Sequence, residues 1–140
     1  SFSAVDNIFY GKSKLENAIT ALHSKNILVS LFLDPVPENI DKALEVGADI
    51  IEIHTGKYSN TFVEKDQLIE LSKIGSMAQM AAEMGLIVTA GHGLNYYNIF
   101  PLLSMKEIRE VSIGHSIISR AVFTGLQKAV EDMVRILQND

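Results

Sequence analysis

The stretch Leu86-Ile87-Val88-Thr89-Ala90-Gly91-His92-Gly93-Leu94-Asn95 decides the fold. It begins as a short, largely apolar run, stops at Gly91, and continues as a polar loop with a histidine between two glycines. The same pattern recurs three times. Residues 27–33 are nearly all apolar or β-branched and end at Asp34-Pro35, because proline has no donor for a strand ladder. Residues 50–53 run into Glu52-Ile53-His54-Thr55-Gly56, and residues 111–113 run into Gly114-His115-Ser116. Short runs that are apolar on both sides suit strands with helices on one face and a packed core on the other.

Helical patterns separate these runs. Residues 14–23 place Leu15, Ala18, Ile19 and Leu22 on one face. Residues 37–46 carry Ile40, Ala43 and Leu44 at helical spacing, and Gly47 stops them. Residues 64–84 form the longest stripe, through Leu68, Leu71, Ile74, Met77, Ala78, Ala81 and Ala82, with Gly75 weakening the middle. Residues 97–103 make a short helix. Residues 116–137 carry another apolar stripe, which Gly125 divides in two.

The order is therefore one helix and then four strand-plus-helix units. Sequential parallel strands need right-handed helical crossovers, which leaves a doubly wound sheet or part of a (β/α)8 barrel. A complete barrel takes eight strands and about 250 residues. Four units are half of that, and the first residue is Ser1 rather than Met. The expected fold class is α/β, a (β/α)8 TIM barrel of which this chain supplies the C-terminal half. Residues 1–26 are the loop and helix before the fifth strand, and residues 27–140 are strands five to eight with their helices. The other half would cover two sheet edges that otherwise invite aggregation. A complete small α/β domain is the alternative.

Composition narrows the function. A chain of 140 residues can bury roughly 70% of its unfolded surface around a single core. The absence of Cys excludes disulfides and thiolate catalysis, and it fits a reducing, cytoplasmic compartment. Twelve basic against 17 acidic residues give a net charge of -5. With Arg109, Arg120 and Arg135 the only arginines, there is no basic stripe for nucleic acid. No apolar run approaches the ~20 residues of a membrane span. The first residues lack the charged start and long apolar region of a signal peptide.

Barrel sites form at the C-terminal ends of the strands, and three of the four histidines sit there. The fourth, His23, lies on a helix and reads as a surface residue. Glu52 stands between Ile51 and Ile53, so alternation turns it to the opposite face. A carboxylate facing the helices would carry an uncompensated desolvation cost. The barrel mouth is the less costly place, and there it can act as an acid or base. A structural ion pair with a lysine or arginine from the other half of the barrel is the other reading.

His54 shares the face of Glu52 and can orient it or touch substrate. His92 can point an imidazole into the mouth, since the flanking glycines permit close approach and positive φ. A turn histidine bonded to nearby carbonyls is its alternative. Gly114-His115-Ser116 opens a helix, where free N–H groups bind anions, and Gly91 and Gly93 can add donors. Barrel phosphate sites often use the last two loops, so a phosphorylated ligand is expected. Plain helix capping by Ser116 is the competing reading. Three histidines and Glu52 are also zinc-ligand types, but no helical His-Glu-x-x-His pattern accompanies them. No strand ends in a lysine suited to Schiff-base chemistry; Lys57 falls beyond Gly56, in a loop.

Together these blocks resemble the C-terminal half of the pyridoxine 5'-phosphate synthase family. The resemblance is carried by Val29-Ser30-Leu31-Phe32, Val46-Gly47-Ala48, Ile51 to Gly56, Gly85-Leu86, Ala90 to Tyr96, Ile113-Gly114-His115, Ile117-Ile118 and Arg120 to Leu126. It implies a transferase-type synthase of vitamin B6 biosynthesis, built as a barrel with extra helices. The reaction it implies condenses 3-amino-2-oxopropyl phosphate with 1-deoxy-D-xylulose 5-phosphate. The products are pyridoxine 5'-phosphate, inorganic phosphate and water.

The resemblance implies no metal, nicotinamide or pyridoxal cofactor. Its implied partners are two phosphorylated substrates and copies of itself, in a homo-oligomer of dimers, with no nucleic acid and no membrane. The glutamate matching Glu52 is a transition-state stabiliser, and the histidine matching His92 is a proton donor. Gly93, Gly114 and His115 match ligand-binding positions, mainly around phosphate. Residues 1–10 lack the acidic, threonine-rich loop expected before the fifth strand, and the family's remaining catalytic His and Glu and its substrate-binding arginine have no match here. The segment alone is therefore expected to be inactive. Other phosphate-binding barrel enzymes, epimerase or aldolase-like, and a non-catalytic interaction protein derived from a barrel are the alternatives.

Overall fold

The computed structural model describes residues 4–138, with side chains from residue 11 onward. Helix α1 (Ala4–His23) leads into strand β1 (Ser30–Leu33), helix α2 (Glu38–Glu45) and strand β2 (Ile50–His54). A short helix α3 (Gly56–Ser59), the long α4 (Glu64–Glu83), strand β3 (Ile87–Gly91), a short α5 (Phe100–Leu103) and strand β4 (Ile108–Ser112) follow. Helices α6 (His115–Thr124) and α7 (Leu126–Gln138) close the order.

All strand pairings are parallel, in the order β1-β2-β3-β4. The order never reverses, whereas a doubly wound sheet reverses at its switch point. Helices also cover only one face. Leu33, Ile51, Ile53, Val88 and Ala90 are buried there against Ile40 and Ala43 of α2 and Ile74, Met77, Ala78 and Ala81 of α4. Alternate strand residues on the other face stay partly or fully exposed. A sequential parallel sheet with helices on one side is an arc of a (β/α) TIM barrel.

Burying each large aliphatic side chain stabilises the fold by about 1.5–3 kcal/mol. The fully buried Ala43, Ala78 and Ala81 keep the helix backbones close to the sheet. By contrast α6 buries none of its residues, and α7 buries only Ala129 and Met133. Gly125, at φ 79°, separates these two helices as its place in the stripe predicts.

Several boundaries differ from the sequence reading. Helix α1 starts at Ala4 rather than residue 14, so the expected leading loop is mostly helix; residues 1–3 and 139–140 lie outside the described residues. Strand β1 starts only at Ser30. Val29 before it is tied to Asp49, its N–H donating to Oδ2 at 2.7 Å. Strand β4 starts at Ile108, earlier than the apolar run 111–113 suggests, because the charged Arg109 and Glu110 lie within it. The pairing with β3 skips Arg109, a bulge-like irregularity that absorbs one residue. Gly75 leaves α4 unbroken. No described helix is long and apolar enough to cross a membrane.

Candidate functional site

The site grows out of strand alternation. In β2, Ile51 and Ile53 are fully buried under the helices, while Glu52 and His54 face the opposite side. Register places Phe32 and Thr89 beside Glu52, and Gly91 beside both His54 and Ser112. These residues share the uncovered face near the C-terminal ends of the strands.

Gly91 brings the group together. A Cβ at position 91 would strike Glu52 Oε1 and come within 2.9 Å of Ser112 Cβ. The absent side chain thus lets the Glu52 carboxylate lie against the backbone one residue before His92. Glu52 forms no ion pair among the described residues.

His54 does not orient Glu52. Its Nδ1 hydrogen-bonds Asp34 Oδ1 at 2.7 Å. Its ring centroid lies 4.9 Å from that of His92, edge to face, and 4.8 Å from that of Phe32. Gly56 forms the floor: a Cβ there would sit 2.5 Å from His54 Nε2 and 2.8 Å from His92 Cδ2.

His92 is exposed and has φ 83°, a left-handed conformation uncommon outside glycine. Its surroundings hold it there. The buried Thr55 hydroxyl lies 2.7 Å from the carbonyl oxygens of both Gly91 and His92. Ser59 Oγ donates to the His92 carbonyl at 3.3 Å, and Asn98 Nδ2 donates to the Gly93 carbonyl at 3.1 Å. Tyr58, on α3, donates its hydroxyl to the Asn98 carbonyl at 2.8 Å. A strained backbone so heavily braced is typical of functional loops.

Gly114 and His115 start α6 at the same end of the sheet, but neither contacts the Glu52–His92 group directly. Gly114 is the N-cap without a side-chain cap, and the space around it is open. Ser116 does not cap the helix: its Oγ donates to the Leu94 carbonyl at 2.9 Å. That bond joins the start of α6 to the loop holding His92 and Gly93. The uncapped helix start keeps its first N–H groups available to an anion. Behind it, Arg120 stacks 4.8 Å from the Tyr96 ring centroid and pairs with Asp132. Tyr96 donates its hydroxyl to the Ala129 carbonyl at 2.7 Å, which fastens α7 to the same loop.

Lys57 and His23 both have structural partners. Lys57 lies on α3 rather than in a loop and pairs at 2.8 Å with Glu70, which Lys73 also meets at 2.8 Å. Burial pushes the Glu70 carboxyl up, but hydrogen bonds from the two ammonium groups outweigh it and hold it below its usual value. His23 is more than a surface residue: it bonds Asp49 at 2.8 Å and so ties α1 to the loop before β2. The Val29 N–H and then His23 hold the Asp49 carboxyl below its usual value.

Sequence reasoning missed Asp34, Phe32 and Thr55. Asp34 reads as part of a strand terminator, yet it occupies the same strand-end position as the histidines. That equivalence was the available signal.

The chain is also similar to known proteins. The family described as pyridoxal phosphate biosynthesis protein PdxJ matches residues 7–139. A pyridoxine 5'-phosphate synthase of Chlorobium phaeobacteroides is 48% identical over 124 residues, 89% of this chain and 52% of that protein. One of Aliivibrio fischeri is 50% identical over 124 residues, covering 89% and 51%. One of Legionella pneumophila is 42% identical over 132 residues, covering 94% and 53%. The chain spans about half the length of these curated relatives.

Proposed function

This chain belongs to the PdxJ family of pyridoxal phosphate biosynthesis proteins, and on that premise we propose that it supplies the C-terminal half of a barrel enzyme making pyridoxine 5'-phosphate. The substrates are 3-amino-2-oxopropyl phosphate and 1-deoxy-D-xylulose 5-phosphate. The observation that supports the reading is that Glu52 lies against Gly91, one residue before His92, while the His92 ring packs on His54, which shares the face of Glu52 on β2. The enzyme works in the cytoplasm as a homo-oligomer of dimers.

The chemistry asks for what this face offers. Joining an amine to a ketone expels water, so a leaving oxygen must be protonated. Ring closure then needs C–H protons removed and phosphate expelled. His92, exposed at the end of β3, donates a proton to a departing oxygen. Glu52 stabilises protonated or cationic intermediates on the same face. Positioned groups of this kind typically contribute 10²–10⁴-fold each. The Gly93 and Gly114 backbone and His115 hold a substrate phosphate, helped by the uncapped start of α6. Fixing both phosphates orients two flexible substrates and lowers the entropic part of the barrier.

The test is an assay of the assembled barrel protein with the two substrates, following pyridoxine 5'-phosphate formation. Turnover is expected, and His92→Asn is expected to abolish most of it. Turnover of a different sugar phosphate in place of this pair would move the chain to another phosphate-binding barrel activity.

A further inference from the structure

We infer that Asp34 is a positioning residue, which fixes the tautomer of His54 and, through the His54 ring, the pose of His92. This rests on the reading of His92 as a proton donor. Asp34 follows β1 directly, and its Oδ1 accepts from His54 Nδ1 at 2.7 Å. A carboxylate there requires a proton on Nδ1, so in the neutral ring Nε2 is the unprotonated nitrogen, and it lies over Gly56. The His54 ring meets the His92 ring edge to face at 4.9 Å, and Phe32 lies 4.8 Å from the first and 6.4 Å from the second. Three rings thus form one cluster, the two imidazoles over a bare glycine, with one carboxylate setting the rotation of the middle ring. His92 forms no side-chain hydrogen bond among the described residues, so these rings are what define its direction.

The Asp34 and His54 side chains keep 46% and 30% of their surface exposed. A pair this wet contributes little to stability, so its removal separates positioning from folding. The experiment is heteronuclear NMR of the histidine side chains in the assembled barrel protein, at a pH where the imidazoles are neutral, alongside steady-state kinetics. In the parent protein His54 is expected to carry its proton on Nδ1. In Asp34→Ala it reverts to the Nε2–H form that unconstrained histidine favours. That variant should lose about 10–100-fold in kcat, the usual effect of removing a carboxylate that orients a histidine, with little change in KM. Asp34→Asn can donate its amide N–H to Nδ1, so it should also favour the Nε2–H form and lose kcat like Asp34→Ala. A His54 protonated on Nε2 in the parent, or an Asp34→Ala protein with unaltered tautomer and kcat, overturns the inference. If the parent makes no pyridoxine 5'-phosphate, the proposed function fails, and the tautomer alone decides the role of Asp34.

Discussion

Strand β2 presents two different molecules to its two sides. Ile51 and Ile53 are fully buried under α2 and α4, whereas Glu52 and His54, their immediate neighbours, lie on the uncovered face. The helix side is dense and apolar. The other side holds a carboxylate, a histidine pair, an exposed Phe32 and glycines that leave room for them. Alternation with a period of two therefore divides the strand residue by residue: one set is buried in the core, and the other is the set proposed to do chemistry. The difference teaches that mutations one position apart should fail in different ways.

The largest expected effect is on the chemical face. His92→Asn should lower kcat by about 10²–10⁴-fold while the thermal midpoint stays close to that of the parent. A matching fall in melting temperature would erase the division between the faces. On the helix face, Ile53→Ala should cost about 2–5 kcal/mol in chemical denaturation, because it opens a cavity where the side chain is wholly enclosed. Its residual folded fraction should retain kcat.

Gly91→Ala sharpens the contrast because it acts across the boundary. The added methyl meets the Glu52 carboxylate and Ser112 rather than the helices. Activity should fall at least about tenfold, and overpacking should cost about 1–3 kcal/mol. A fully active variant would mean that the close approach of Glu52 to the backbone has no function.

The smallest effect lies away from both faces, at Glu70. Its folded-state carboxyl is held below its ordinary 4.5. A depressed value means stabilisation that is complete above about 4.5 and is lost as pH falls through the folded-state value. Because Lys57 and Lys73 remain largely exposed, the contribution is about 1 kcal/mol or less. Thermal melts should show Glu70→Gln slightly less stable than the parent at neutral pH, with the gap closing as the solution is acidified below that range.

Much of this was legible in the sequence because it rests on short periods. The run at 50–53 with Glu52 set between isoleucines fixed both the strand and its two faces. Gly47 and Gly125 marked real helix ends. The polar strand ends pointed to the candidate site, since parallel strands align them at one end of the sheet. What stayed hidden depends on contacts between distant positions. Asp34 and His54 are 20 residues apart and meet only after β1 and β2 pair. Ser116 reads as a cap until its hydroxyl is seen on the Leu94 carbonyl. Charged Arg109 and Glu110 disguised the start of β4, because that strand has no described neighbour on its outer edge and tolerates them.

The central claim is that Glu52 and His92 serve one ligand. The most direct measurement is a crystal structure of the assembled barrel protein with pyridoxine 5'-phosphate bound. The expected result is a ligand touching both Glu52 and His92, with its phosphate on the Gly93, Gly114 and His115 backbone. A ligand seated elsewhere, with either side chain turned away from it, would contradict the account.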